Sequence, residues 1–154
     1  YVSTLQRTHQ TAAPLAGALG LTPIVEPDLR EVHLGEWEGT FRQRVAEGGP
    51  LVAQLFEQGR WDVIPGAEPS QGFAARTTAA IDRIARAHPG ELVVAVCHGG
   101  VIGQVLATAS RGGNAFAFSG ADNASISRLV VLGDRWIIRG FNDTAHLPEV
   151  GAER

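Results

Sequence analysis

The chain has 154 residues, of which 44% are hydrophobic and 19% charged, and its formal net charge is −3. These values are typical of one globular domain, over 1–154, and without any basic run they give no support for nucleic-acid binding. The apolar runs are too short to span a membrane, and the lone Cys97 excludes an internal disulfide, which favours a reducing, cytoplasmic compartment.

The N-terminal residues predict the end of a strand that runs directly into a helix. Ser3 and Gln6 have the spacing of a capping box, and apolar positions at helical spacing follow until Gly20, which predicts the end of the helix. Pro14 falls inside this pattern and predicts a kink or a break. Arg7 lies in the first turns, where a cation is unfavourable unless an anion is nearby. A solvated surface arginine is the ordinary alternative.

A short strand is predicted over residues 22–26, and a loop rich in acidic residues follows it at 28–39. Solvated carboxylates are the usual interpretation of such a loop. Apolar side chains alternate with the acids, however, and predict that the loop packs on the body of the domain. One acid could then point inward.

The middle of the chain predicts two helices separated by a turn. Residues 41–61 give an irregular pattern in which Leu51 and Leu55 indicate a short helix. A longer helix is predicted from about Gln71 to His88, where Pro89 and Gly90 end it. Its apolar face at helical spacing consists of Phe73, Thr77, Ala80, Ile81 and Ile84.

The most informative stretch is residues 92–102, which read Leu-Val-Val-Ala-Val-Cys-His-Gly-Gly-Val-Ile. An apolar run without polar alternation predicts a strand buried on both faces, as in the middle of a parallel sheet. The run ends at His98, and Gly99 and Gly100 lead into a segment of helical spacing. A helix that begins there directs its free N–H groups and the positive end of its dipole toward the histidine. The stretch therefore predicts an anion site that contains an imidazole.

The C-terminal part predicts a β-hairpin. Residues 125–132 and 135–139 read as strands joined by Gly133 and Asp134, a pair typical of a two-residue turn. Phe141 to Arg154 are expected to be irregular. Strands that alternate with helices before a terminal hairpin predict an α/β fold, a three-layer αβα domain with a mostly parallel central sheet.

Metal and cysteine chemistry have little support in the sequence. The five histidines are scattered, with no pair at ligand spacing on one element. Cys97 and His98 are neighbours on a predicted strand, so their side chains point to opposite faces and cannot form a dyad. No P-loop or dinucleotide fingerprint is present. We therefore expect no metal and no cofactor.

Five short blocks follow one another in a distinctive order along nearly the whole chain. They are Ser-x-Leu-x-Arg-x-x-Gln-Thr-Ala at 3–12, Leu-Arg-Glu-x-x-x-Gly-x-Trp-Glu-Gly at 29–39, Pro-Gly-Ala-Glu at 65–68, Val-Cys-His-Gly-Gly-Val-Ile at 96–102 and Asn-Ala-Ser at 123–125. In this order they resemble the histidine phosphatase superfamily, which has the phosphoglycerate mutase-like fold. Five blocks in the family's order are far more specific than any one of them.

This resemblance implies phosphoryl transfer through a phosphohistidine, in a pocket of two arginines and a second histidine. By position, Arg7 resembles the second of these arginines and His98 the second histidine, while Gly99 offers a backbone N–H to the phosphate. Glu31 resembles the acid that protonates the leaving oxygen. The implied partner is a small phosphorylated metabolite or inorganic phosphate.

The family's Arg-His-Gly motif, which contains the nucleophile, would precede Tyr1 and has no counterpart here. We therefore expect the first strand and its following helix to lie outside this sequence, and the chain alone to be inactive. A non-catalytic phosphate-binding form is the alternative, in which a homodimer would cover open strand edges. For the complete protein, the amino-acid sequence around Trp37 and Glu38 favours a phosphomonoesterase over a phosphoglycerate mutase. These two residues are expected to shape the substrate side, and ordinary packing is the alternative for Trp37.

Overall fold

A computed structural model describes residues 1–148 and shows five α-helices and a two-stranded antiparallel sheet within them. The helices are α1 (Gln6–Leu19), α2 (Phe41–Glu47), α3 (Pro50–Gln58), α4 (Ser70–Ala87) and α5 (Gly99–Ser110), and the strands are β1 (Ile126–Leu132) and β2 (Arg135–Asp143). This mixture of helices and strands confirms the predicted α/β class. None of the helices in this part of the chain is long and apolar enough to cross a membrane.

Three extended segments lie side by side in parallel, although only single bridges join them. Val2 forms a parallel bridge with Val25 on one side and with Val96 on the other. The Val96 amide donates to the carbonyl of Tyr1 at 2.8 Å. Because the segments run in the same direction, the loops that follow Val2 and Val96 emerge at the same edge, and this edge carries the candidate site.

The apolar run at residues 92–96 is not buried on both faces, contrary to the prediction. Leu92 is 96% exposed and Val94 is 48% exposed, whereas Val93 packs against the core. The segment's hydrogen bonds go to Tyr1 on one edge, at 2.7 and 2.8 Å. On its other edge, no strand within residues 1–148 pairs with it, and alternate side chains therefore remain in solvent.

Helix α1 begins without the predicted capping box. Its N-cap is Leu5, and the hydroxyl of Ser3 accepts a hydrogen bond from the Leu5 amide at 3.1 Å instead of capping the helix. The helix continues through Pro14 without a break, because Pro14 is exposed and water can reach the carbonyl that loses its partner. Gly20 ends the helix at a φ of 64°, as predicted.

The main core lies between α4, α5 and the loop that follows the segment at 24–26. Its buried members are Leu29, Val32, Phe73, Ala80, Ile84, Val101 and Val105. The predicted apolar face of α4 is thereby confirmed. Full burial of an aliphatic or phenyl side chain stabilises the fold by roughly 1.5–3 kcal/mol. The core therefore holds the loop around Leu29 and Val32 firmly against two helices.

The predicted C-terminal hairpin is confirmed. Leu132 pairs with Arg135, so Gly133 and Asp134 form a two-residue turn. Strand β2 continues to Asp143, which corrects the prediction that the chain is irregular from Phe141 onward. Residues 149–154 of the predicted tail lie outside the described residues.

Candidate active site

His98 and Arg7 meet at the edge where the parallel segments end. His98 is the N-cap of α5 and is only 7% exposed. Arg7, in the first turn of α1, donates from Nε to His98 Nδ1 at 3.2 Å. Because a guanidinium N–H can only donate, Nδ1 must carry a lone pair, and the ring proton of the neutral imidazole lies on Nε2.

The N–H group at Nε2 donates a hydrogen bond to a chain of buried hydroxyl groups. His98 Nε2 lies 2.8 Å from Ser3 Oγ, which lies 3.2 Å from Thr8 Oγ1. Thr8 in turn donates to the carbonyl of Leu5 at 2.8 Å. With Nε2 as the first donor, every group in this chain has a partner, so the chain fixes the orientation of the imidazole.

The environment of His98 disfavours its protonated form. Burial, together with the positive charges of Arg7 and Arg76, lowers the pKa of His98 to about 4, and burial is the largest of these causes. The imidazole is therefore neutral at neutral pH, and an anion in the pocket would meet Arg7 as its nearest positive charge.

Glu31 places its carboxyl at the N-terminus of α5. Oε2 accepts from the Gly100 amide at 3.1 Å and Oε1 accepts from the Val32 amide at 3.0 Å. Burial raises the pKa of Glu31, while these amides and the charge of Arg7 act in the opposite direction. A raised pKa makes a carboxyl better suited to hold and donate a proton than an exposed carboxyl is.

The two glycines after His98 differ in their surroundings. A Cβ on Gly100 would lie 2.5 Å from Glu31 Oε1, whereas a Cβ on Gly99 would have no heavy atom within 4 Å in the described part of the chain. The predicted phosphate donor, Gly99, therefore borders open space. Gly100 leaves room for Glu31, a contribution that the sequence reasoning missed.

Trp37, which is expected to shape the substrate side, is buried. It is 6% exposed and packs with Leu55 and Ile64 in a second buried cluster, because its large ring gains more from burial than from solvent. Glu38 is exposed and is bound locally, by His33 Nδ1 at 2.9 Å and by the Leu34 amide at 2.7 Å. Both residues thus support the loop that carries Glu31.

Three further residues at the site were missed by the sequence reasoning as site residues. Ser3 was interpreted as a helix cap, and Thr8 had no distinguishing signal. Arg76, on α4, binds Glu68 and the main chain around Glu31. Within residues 1–148 no group of three or more His, Cys, Asp or Glu side chains could hold a metal ion.

The family model described as histidine phosphatase superfamily (branch 1) matches residues 1–144. Phosphoglycerate mutase-like protein 4 of Arabidopsis thaliana is 35% identical over 154 residues, which cover 98% of this chain and 66% of that protein. The metal-independent phosphoserine phosphatase of the same plant is 32% identical, with coverage of 98% and 63%. The chain thus spans less than two thirds of the second relative and about two thirds of the first.

The chain is also similar to solved structures of phosphatases. Mycobacterial glucosyl-3-phosphoglycerate phosphatase in complex with inorganic phosphate is 30% identical to this chain, with a TM-score of 0.79. The alignment covers 96% of this chain and 78% of that one. On the family match, the relatives and the shared fold, the chain belongs to the histidine phosphatase superfamily.

Proposed function

We propose that the complete protein hydrolyses the phosphomonoester of a small phosphorylated metabolite through a phosphohistidine, and that the nucleophilic histidine lies outside this sequence. The observation that carries the proposal is the convergence of Arg7, His98 and Glu31 on the N-terminus of α5. A guanidinium, an imidazole and a helix N-terminus can stabilise negative charge on phosphoryl oxygens, and a buried carboxyl can supply a proton.

Arg7 has the geometry to bind a phosphate group. Its side chain is exposed, and within residues 1–148 only its Nε has a hydrogen-bond partner, which is His98 Nδ1. Two terminal Nη groups therefore remain to donate to two oxygens of one anion. Open space beside Gly99 supports an anion at the same place.

In the proposed reaction, an imidazole nitrogen of the nucleophile forms a bond to phosphorus while the ester oxygen departs. The departing oxygen takes the proton of Glu31. Water then attacks the phosphohistidine and gives a proton back to the Glu31 carboxylate, which releases phosphate and restores both groups. Arg7 remains in contact with the phosphoryl oxygens throughout. His98 joins it once the bound anion favours protonation of Nδ1, because the neutral ring has no N–H free for the phosphate.

The open sheet edge supports a further strand in the complete protein. Residues 92–97 pair with the segment of Tyr1 on one edge, and no strand within residues 1–148 lies along their other edge. Strands β1 and β2 pair only with each other. A strand that paired along this edge of residues 92–97 would help to cover the side chains of Leu92 and Val94, which are exposed. It would also bring its carboxyl end next to His98, where a nucleophile is needed.

The solved neighbours favour hydrolysis over mutase activity, although several relatives, such as one from Yersinia pestis, are named probable phosphoglycerate mutases. One curated relative is named as a phosphoserine phosphatase, and the solved neighbours include a glucosyl-3-phosphoglycerate phosphatase with inorganic phosphate and the same enzyme with VO3. Phosphoglycerate mutase-type transfer remains the second candidate because another relative has a mutase-like name.

The test uses the complete protein, with its natural sequence before Tyr1, and p-nitrophenyl phosphate as substrate. We expect phosphate release, and we expect His98→Ala to reduce kcat by roughly 100- to 1000-fold. Glu31→Gln should slow alkyl phosphates more than p-nitrophenyl phosphate, because only a poor leaving group needs the proton. The matched control is Glu36→Gln, an exposed acid of the same loop.

The outcomes separate the candidates. No phosphate release from the complete protein would refute the phosphatase proposal. If phosphate or vanadate then still raised the melting temperature, the protein would be a non-catalytic phosphate-binding module. Transfer between positions of phosphoglycerate, faster than hydrolysis, would identify a mutase. Equal losses in Glu31→Gln for both leaving groups would contradict proton donation by Glu31.

A further inference from the structure

The ion pair between Glu68 and Arg76 lies beside the candidate site, although the proposed reaction does not use it. Arg76 Nε and Nη2 contact the two carboxylate oxygens of Glu68 at 2.7 and 2.8 Å, which is a bidentate pair. The two side chains are only 20% and 21% exposed. The guanidinium also lies 4.8 Å from the centre of the Phe73 ring, in the core. The pair is therefore held in one geometry.

The same guanidinium binds the main chain of the loop that carries the proposed acid. Nη1 donates to the carbonyls of Asp28 and Arg30 at 2.6 and 2.7 Å, and Nη2 donates to the carbonyl of Glu31 at 3.2 Å. Glu68 binds the far side of the loop, where its Oε2 accepts from the His33 amide at 3.3 Å and its own amide donates to the His33 carbonyl at 2.9 Å. The ion pair thus grips the loop on both sides of Glu31.

The side chain of Glu31 is held from the opposite direction, by the Gly100 amide of α5. We infer that Arg76 and Glu68 are positioning residues, which hold the Glu31 carboxyl at the N-terminus of α5, where it donates its proton. The inference rests on the proposed role of Glu31. It also assigns a role to Glu68, the last residue of the Pro-Gly-Ala-Glu block at 65–68, which has no role in the proposed reaction.

A lysine cannot replace Arg76 in this arrangement. Arg76 makes two contacts to Glu68 and three to carbonyl oxygens, and these need the planar fork of a guanidinium. An ammonium keeps the positive charge but reaches fewer of these oxygens. Arg76→Lys therefore removes the geometry while it leaves the charge near the site unchanged.

Arg83 offers a matched control on the same helix. It binds the side chains of Glu26 and Asp28, at 2.8 and 2.6 Å, where the loop begins. Its side chain is 49% exposed, and within the described residues it makes no hydrogen bond to the loop's main chain. Arg83→Gln should therefore leave the Glu31 carboxyl in place.

The test reads Glu31 directly, by NMR titration of its carboxyl carbon and of the Gly100 amide in the complete protein. In the unmodified protein the Gly100 amide shift should follow the ionisation of Glu31, because the two are hydrogen bonded. In Arg76→Lys we expect the amide to lose this response and the carboxyl to titrate closer to its ordinary range. Arg83→Gln should titrate like the unmodified protein. An unchanged Gly100 response in Arg76→Lys would overturn the inference.

A second variant guards against misfolding of the first. Glu68→Gln keeps the contacts of Arg76 to the loop carbonyls but weakens its orientation, so we expect a partial loss of the Gly100 response. If Arg76→Lys does not fold, a full response in Glu68→Gln overturns the inference by itself.

Kinetics on the complete enzyme give a separate readout. We expect Arg76→Lys to reduce kcat on alkyl phosphates by about 10- to 100-fold, with a smaller loss on p-nitrophenyl phosphate. An equal loss on both would mean that Arg76 acts on general stability and would contradict a positioning role. If the complete protein lacked activity altogether, the proposed function would fail, but the titration would still decide whether the ion pair holds Glu31.

Discussion

Replacement of Gly100 by alanine tests how closely the Glu31 carboxyl approaches α5. Gly100 has helical backbone angles, so the glycine is required for space and not for its conformation. An added Cβ would lie 2.5 Å from Glu31 Oε1 and 3.3 Å from Val32 Cγ1, so the carboxyl must move. Overpacking costs about 1–3 kcal/mol, and loss of a hydrogen bond to a charged group costs about 1.5–3 kcal/mol. Alanine returns about 1 kcal/mol through its helix propensity.

We therefore expect Gly100→Ala to lower the free energy of unfolding by about 1.5–5 kcal/mol, measured by urea denaturation at neutral pH. The control is Gly99→Ala, one residue earlier in the same turn, where an added Cβ has no heavy atom within 4 Å in the described chain. That variant should be as stable as the unmodified protein or more stable by up to about 1 kcal/mol, because alanine has the higher helix propensity. A Gly100→Ala protein as stable as the Gly99→Ala protein would refute the packing of Glu31 against this turn.

Two further predictions concern the buried histidine. Because the pKa of His98 falls from 6.5 to about 4 on folding, its contribution to stability is present above pH 6.5 and is lost as the pH falls toward 4. This loss amounts to roughly 3 kcal/mol in urea unfolding across that range, and His98→Gln should not show it, so that the difference between the two curves equals the loss; identical pH dependence in both proteins would exclude it. Ser3→Ala should cost about 1–3 kcal/mol in the same assay, because Ser3 is fully buried and its loss leaves the His98 ring N–H without a partner. Ser119→Ala, at an exposed serine, should have no effect, and equal effects of the two would contradict the hydroxyl chain.

Local periodicity predicted the helices better than it predicted the strands. The apolar face of α4 follows from residue spacing alone, and Phe73, Thr77, Ala80 and Ile84 are indeed buried. The predicted capping box does not form because the Ser3 hydroxyl is hydrogen bonded to a histidine 95 positions away, and no local pattern contains this contact. The prediction that residues 92–96 are buried was wrong for a related reason, since the burial of a strand depends on the elements that pack around it.

The site was predictable where the sequence blocks named its residues. Arg7, Glu31 and His98 were identified in this way, and the fold brings them together, although their chemical roles stay predictions. Arg76 was not identified, because on a helix surface nothing local distinguishes it from a solvated arginine. The orientation of Trp37 was not predictable, since an aromatic residue between acids gives no sign of which way its ring turns.

The exposed apolar edge at residues 92–96 also has a consequence for how the protein behaves in solution. Main-chain groups beside Leu92 and Val94 are open to pairing, and such an edge is a template on which another copy of the chain can add a strand. Charged or proline residues, which usually discourage this pairing, are absent from the run itself. The run's apolar side chains, which suit it to a sheet interior, thus become a source of self-association whenever the edge is uncovered, and aggregation competes with folding as concentration rises.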